Sequence, residues 1–248
     1  MNGILYFSST GNSLYIAKKV QERFGGSIKY IPNYAGFGSE FDRIFIVTPI
    51  YSYGIPIPVL NILAKLDKTK EIIVIQNYGG MAGGADYLFY DYAKNRFGLN
   101  VVSVYKVKMT ENFTLYFTVP RYYQKMQLKK CVKRVDEILR KIENKEYILP
   151  KKLKTKEEKY LKNKANWHKI GQRFSTNRDC VVCGKCISVC PVKNISLQNG
   201  KIVFGDKCIA CLGCYHRCPN KAITYLNKKK KYRYVNPHIN ESDIGKDL

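Results

Sequence analysis

Cysteine is absent from the first 130 residues of this 248-residue chain, and eight of its nine cysteines then crowd between Cys180 and Cys218. A disulfide framework would spread its cysteines over the fold it staples, so the distribution points instead to metal binding in a reducing compartment. Acidic residues are also scarce. Asp and Glu total 19 against 43 Lys and Arg, a formal net charge of +24. Such a surplus implies acidic partners and salt-sensitive association, and it raises nucleic acid or an anionic membrane surface as rival partners. No long apolar run is uninterrupted: the longest charge-free stretch, Ile44 to Ala64, contains Pro49, Pro56 and Pro58, so a strand, loop and helix fit it better than a membrane span. The N-terminus, Met1-Asn2-Gly3-Ile4-Leu5, has neither a basic region nor a cleavable apolar segment, and a cytoplasmic location is expected.

Apolar residues make up 45% and charged residues 25%, the composition of a globular protein with a packed core. Short apolar strands begin at Ile4-Leu5-Tyr6-Phe7 and recur at Ile28 to Ile31, Ile44 to Thr48, Ile72 to Gln76 and Val101 to Val107. Helical spacing separates them, as in Leu14, Ala17, Val20 and Phe24. This β-α alternation predicts an α/β doubly wound parallel five-stranded sheet, covered on both faces, with its ligand crevice at the carboxyl ends of the strands. Leu128, Cys131, Val135, Ile138, Leu139 and Ile142 mark one face of a closing helix. The expected divisions are a first domain over 1–142, a basic, partly helical, solvated connector over 143–176 with sparse apolar anchors at Tyr160, Leu161 and Trp167, a cysteine domain over 177–226, and a basic tail over 227–248. The tail reads as having little that could form a core, and as mobile or laid on the surface.

The cysteines form an internal repeat. Cys180, Cys183, Cys186, Cys190, Pro191 and Ile195 recur 28 residues later as Cys208, Cys211, Cys214, Cys218, Pro219 and Ile223, which predicts a pseudo-twofold domain. Each copy spells C-x2-C-x2-C-x3-C-P, in which three thiolates wrap one face of an iron-sulfur cube and the fourth ligates the other cluster. The expected sets are Cys180, Cys183, Cys186 and Cys218 for one [4Fe-4S] cluster, and Cys208, Cys211, Cys214 and Cys190 for the second. Structural zinc also takes four thiolates, but its modules pair two C-x2-C knuckles and do not string four cysteines ahead of a proline. Residues 177 to 226 resemble bacterial-type 2[4Fe-4S] ferredoxins, small α+β domains, and the resemblance implies one-electron transfer between neighbouring clusters.

Phe7-Ser8-Ser9-Thr10-Gly11-Asn12-Ser13 runs from the first strand into a helix, gathering backbone amides and hydroxyls at a helix N-terminus that suits a phosphate dianion. The loop lacks the lysine of a P-loop and the spacing of a dinucleotide fingerprint. With Ala17 and Val20 it resembles the N-terminal signature of flavodoxins, with Ser13 where threonine is usual, which implies flavin mononucleotide (FMN). The same resemblance implies two ring-holding loops at strand ends. Thr48-Pro49-Ile50-Tyr51-Ser52-Tyr53-Gly54 and Asn77-Tyr78-Gly79-Gly80-Met81 fill those places, with Tyr51, Tyr53 or Tyr78 as candidates for stacking and Gly79 and Gly80 for close amide approach. A flavodoxin and ferredoxin fusion of this order, known from anaerobic microbes, implies an oxidoreductase of the electron-transfer kind, serving an acidic redox protein or a low-potential donor or acceptor. Two rivals stand beside it: a flavin-dependent reductase of a small organic substrate, and a basic nucleic-acid-binding protein with structural clusters. Against the last, there is no helix-turn-helix, zinc finger or aromatic RNA-binding signature.

Cys131 reads as a buried small residue. His168, His216 and His238 make no triad, and His216, inside the second cysteine loop, reads as solvated. The run Lys228 to Lys231 reads as a solvated tail.

Overall fold

The computed structural model describes residues 1–152, 156–228 and 232–248. Strands β1 (Asn2–Tyr6), β2 (Ser27–Tyr30), β3 (Arg43–Pro49), β4 (Glu71–Tyr78) and β5 (Val101–Lys108) form one sheet in the order β2-β1-β3-β4-β5. Every pairing is parallel. This is the flavodoxin-like doubly wound order, whose switch point lies between β1 and β3. Helices α1 (Asn12–Phe24), α2 (Ile57–Leu63), α3 (Ala85–Asp91) and α4 (Arg121–Glu143) connect and cover it. Ile44 to Val47 and Ile72 to Ile75 are buried without alternation, because helices close both faces of a parallel sheet. No helix among the described residues is long and apolar enough to cross a membrane.

Neither outer strand is left bare. Ile28 of β2 exchanges two backbone hydrogen bonds with Leu248, at 2.9 and 3.0 Å, and Val104 of β5 donates to the carbonyl of Ile148 at 2.9 Å.

Beyond α4 come α5 (Glu157–Ala165) and α6 (Trp167–Gly171), then a small unit built from β6 (Phe174–Thr176), α7 (Lys185–Ser188), β7 (Ile195–Gln198), β8 (Lys201–Phe204), α8 (Gly213–His216) and β9 (Ile223–Tyr225). β6 pairs antiparallel with β9, and β7 with β8. The β7-β8 hairpin turns through Asn199 and Gly200, both left-handed, as a two-residue Asn-Gly connection requires. The sequence repeat is written into the backbone: the positive φ values of Val182, Gly184 and Lys193 recur at Ala210, Leu212 and Lys221. The unit's core gathers Phe174, Ile195, Ile202, Leu212, Tyr215 and Ile223 around Leu115, which enters from the segment after β5.

Two expectations are corrected. The connector is not merely solvated, since Tyr160 and Trp167 join the main core at 0% and 3% exposure, while Leu161 stays exposed. The tail adds to the core as well: Tyr234, Ile239 and Ile244 are buried, and Asn236 is wholly so. Its few apolar residues are irregularly spaced, so no periodicity announced them. Tyr6 fastens it further, its hydroxyl accepting from the Gly245 amide at 2.9 Å. Of the run Lys228 to Lys231, the last three residues lie outside those described.

Candidate functional site

A cavity of about 460 Å³ opens at the carboxyl ends of β3, β4 and β5. Its walls bring together Asn12, Pro49, Tyr51, Tyr53, Asn77, Tyr78, Gly79 and Gly80, all singled out from sequence. Ser8, Ser9, Thr10, Gly11, Ser13 and Gly54 do not line it. Further walls come from Thr110 to Phe113, from Trp167, and from Ile209 and Ala210, which stand between Cys208 and Cys211.

The turn after β3 is held under strain. Tyr51 and Gly54 exchange backbone hydrogen bonds of 3.0 and 2.9 Å, leaving Ser52 and Tyr53 left-handed at φ 49° and 73°. Non-glycine residues in that region cost on the order of 1 kcal/mol each and persist where their surroundings over-determine them. Gly54 packs so closely on Tyr160 that a Cβ would lie 2.3 Å from its ring, which explains its absence from the wall. The Tyr160 hydroxyl donates to the Ile55 carbonyl at 2.8 Å. Lys156 and Lys159 stand 4.6 and 5.1 Å from the Tyr53 ring centre, and Lys159 also lines the cavity.

Tyr51 meets Phe7 and Trp167 edge-on, at ring separations of 6.0 and 6.1 Å. Burial keeps its phenol far above the ordinary range, so it remains a neutral hydrogen-bonding group beside Ser9. The Thr110 hydroxyl, buried on this wall, makes no hydrogen bond of ordinary geometry among the described residues. Flat aromatic sides and an unused hydroxyl suit a planar conjugated ring with a polar edge.

The loop before α1 departs from expectation in one respect. Its hydroxyls are already engaged: Ser8 Oγ accepts from the Gly11 amide at 3.0 Å, Ser9 Oγ donates to the Cys211 carbonyl at 2.8 Å, and Thr10 Oγ1 accepts from Asn112 at 2.9 Å. Ser13 Oγ likewise accepts from Asn77 at 2.7 Å. By contrast, the backbone amides of Thr10, Asn12, Ser13 and Leu14 have no acceptor among the described residues. The first turn of α1 carries no acidic residue to answer its dipole. Four buried amides at a helix N-terminus fit a phosphate dianion, with the hydroxyls serving to hold the loop.

Cys180, Cys183, Cys186 and Cys218 line one small cleft, with Thr176, Ile202 and Ile223 around them. The other four also keep company. Burial, then the neighbouring thiols of Cys208 and Cys190, pushes Cys211 up, and Cys214 is raised by burial and by Cys211, Cys208 and Cys190. Amides donate to sulfur at matching places in the repeats, Asn194 to Cys190 at 3.2 Å and Ala222 to Cys218 at 3.3 Å. Gly171 lets Cys208 approach, for a Cβ there would lie 2.3 Å from the cysteine's own. Buried thiols that resist ionisation in the free state are made thiolates by binding metal, so this donor set fits thiophilic iron. Among the described residues no three such side chains converge as on a single ion; a four-iron cube, with each ligand on its own iron, does not call for that.

His216 is a further correction: it is 3% exposed. It accepts at Nδ1 from the Tyr234 amide at 3.1 Å and donates from Nε2 to the Asn112 carbonyl at 2.6 Å, with the proton assigned from this pattern. Burial depresses its pKa to about 4, so the ring is neutral. It thereby knots the cysteine unit, the segment after β5 and the tail.

Sequence reasoning missed Thr110, Glu111, Asn112, Phe113, Trp167, Ile209 and Ala210. The segment after β5 was within reach, since the strand-end rule applied to β3 and β4 extends to β5. For Ile209 and Ala210 no local signal existed.

Residues 174–219 match the family model described as a 4Fe-4S dicluster domain. No curated protein matches the chain. Among solved structures, it is similar to the Fusobacterium nucleatum flavodoxin bound to flavin mononucleotide, at 18% identity over 59% of this chain and 98% of that one, TM-score 0.42. It is similar to a flavodoxin from the domain Archaea at 16% identity, covering 58% and 99%, TM-score 0.38. A Lactobacillus acidophilus flavoprotein in complex with FMN aligns at 19% identity, covering 42% and 91%, TM-score 0.35. The assignment of the sheet rests on its own strand order. A 4Fe-4S dicluster domain behind a five-stranded sheet of flavodoxin-like order gives this chain the architecture of a flavodoxin–ferredoxin fusion.

Proposed function

We propose that this chain is an electron-transfer protein that holds FMN in the cavity at the strand ends and two [4Fe-4S] clusters on its eight motif cysteines, and couples one-electron to two-electron redox partners. Cys180, Cys183, Cys186 and Cys218 hold one cluster, and Cys190, Cys208, Cys211 and Cys214 the other. Bound flavin supplies exchange of two electrons in single steps, and each cluster supplies exchange of one.

The observation that carries this reading is that Ile209 and Ala210 form a wall of the cavity while standing between two cluster cysteines. The amides of Thr10, Asn12, Ser13 and Leu14 bind the phosphate. Tyr51, Tyr78 and Trp167 flank the ring, and Thr110 and Asn77 present polar atoms to its edges. Ile209 and Ala210 exclude water from the cavity and bring the Cys208 loop against it. Ser9, by donating to Cys211, keeps that loop in register with the end of β1. The divisions at 142, 176 and 226 separate the flavin unit, connector, cluster unit and tail in this scheme, although the tail packs on the flavin unit.

Anaerobic purification followed by flavin release and iron and sulfide counting tests the proposal. One FMN with about eight iron and about eight sulfide per chain is expected for two four-iron cubes. Zinc in place of iron, or a chain without flavin, defeats it.

A further inference from the structure

The 28-residue offset that relates the cysteine repeats also relates Val181 and Val182 to Ile209 and Ala210. Val182 and Ala210 share a left-handed φ, 54° and 56°, as do Gly184 and Leu212, 73° and 58°, so the two loops turn alike at these positions. Their surroundings are opposite. Ile209 and Ala210 are 3% and 8% exposed, packed at the cavity. Val181 and Val182 are 65% and 39% exposed, and Cys183 beside them is exposed too. A β-branched residue held left-handed is an outlier, and here it presents an apolar tip to water directly over one set of cysteines.

Charge surrounds the tip. An open groove of about 800 Å³ runs from Cys183 past Lys185, Lys221 and Arg233. Glu241 is the carboxylate on that groove, and Lys185 and Arg217 already engage it, at 3.7 and 3.3 Å. Asp179, next to Cys180, accepts from Asn177. A small apolar knob beside a cationic groove has the make-up of a transient electron-transfer interface, where apolar contact sets closeness and opposite charge steers encounter.

We infer that the Val181–Cys183 tip is the docking face for an external one-electron redox protein with an acidic surface. This rests on the cofactor reading above. The two loops are then equivalent ports at opposite ends of the cluster unit: the Ile209–Ala210 loop faces the flavin, and the Val181–Val182 loop faces the partner. Electrons pass from the cavity to the Cys190, Cys208, Cys211 and Cys214 set, then to the Cys180, Cys183, Cys186 and Cys218 set, then outward, or the reverse. At the tip a single electron moves from the reduced cluster to the partner's oxidised centre, with no bond made or broken and no proton transferred.

The test uses the full holoprotein and an oxidised flavodoxin of net negative charge as probe. Complex formation is read by chemical-shift changes in the labelled probe, and the transfer rate by stopped-flow after anaerobic reduction. Val181→Asp, and separately the Lys185→Glu/Lys221→Glu pair, should each raise the probe's Kd at least tenfold at low salt and slow second-order transfer in proportion. Phe117 lines the same cavity as Ile209 and is 46% exposed, and Phe117→Asp there should leave probe binding as it was. Binding that ignores Val181, Lys185 and Lys221, or that is lost with Phe117→Asp, overturns the port and moves it to the cavity. Flavin and iron counts on every variant separate the failures. A loaded protein indifferent to these substitutions defeats the port alone, whereas an unloaded wild-type protein defeats the cofactor reading and the port with it.

Discussion

Ser9, in the loop between β1 and α1, donates through its hydroxyl to the carbonyl of Cys211 at 2.8 Å, across 202 residues of chain. Ser9 is 6% exposed, and the bond it makes is partly buried. Ser9→Ala leaves that carbonyl without its donor, at a cost of about 1–3 kcal/mol for a buried unsatisfied group. The expected outcome is a lower midpoint in anaerobic urea unfolding of the holoprotein, with secondary structure unchanged before the transition.

Gly171→Ala should act on metal content. The added methyl would lie 2.3 Å from the Cβ of Cys208, on backbone that cannot retreat as a flexible side-chain end would. Overpacking of this kind costs roughly 1–3 kcal/mol, and here it displaces a cysteine proposed to hold a cluster. Iron analysis should find about half the wild-type content, with the set containing Cys180 still loaded.

Tyr234→Phe tests the tail's hold on the loop before α1. The Tyr234 hydroxyl donates to Asn12 Oδ1 at 2.7 Å, and Asn236 Nδ2 reaches the same atom at 3.1 Å. Because Asn236 remains as donor, the loss should stay near 1 kcal/mol. Adding Asn236→Ala should cost more than the two single changes summed, as expected for groups sharing one acceptor. Flavin dissociation followed by fluorescence should quicken in the same order.

Cys131 is 1% exposed, and burial pushes its thiol up to about 11. Only the thiolate alkylates. At pH 8 the native protein should therefore keep Cys131 unmodified by iodoacetamide, with reaction rising as the pH approaches 11 or on adding urea, read by peptide mass spectrometry. Modification at pH 8 in the folded state would contradict the packing of α4.

Much of the fold was legible because parallel strands buried on both sides leave unbroken apolar runs, such as Ile44 to Val47 and Ile72 to Ile75. The cysteine spacing was legible because the motif is local. What stayed hidden was whatever two distant segments make together. Trp167 reads as an isolated anchor in a lysine-rich stretch, yet it walls a cavity together with the ends of β3 and β4, the segment after β5 and the Ile209–Ala210 loop. Ser8 to Ser13 read as phosphate ligands by type, whereas their hydroxyls are engaged by partners as remote as Cys211 and only the amides remain open. His216 reads as solvated because nothing in its own neighbourhood announces Asn112 or the Tyr234 amide.

The contacts of Leu248 with Ile28 and of Ile148 with Val104 close the two flanks of the sheet. A strand row with hydrogen-bonding capacity to spare is a template for another chain, and here both rows are answered from within the molecule. Since the segment that answers β2 also lies over the loop before α1, peeling it away would bare an adhesive margin and the proposed phosphate loop together. Colloidal behaviour and chromophore retention are thus two readings of one latch.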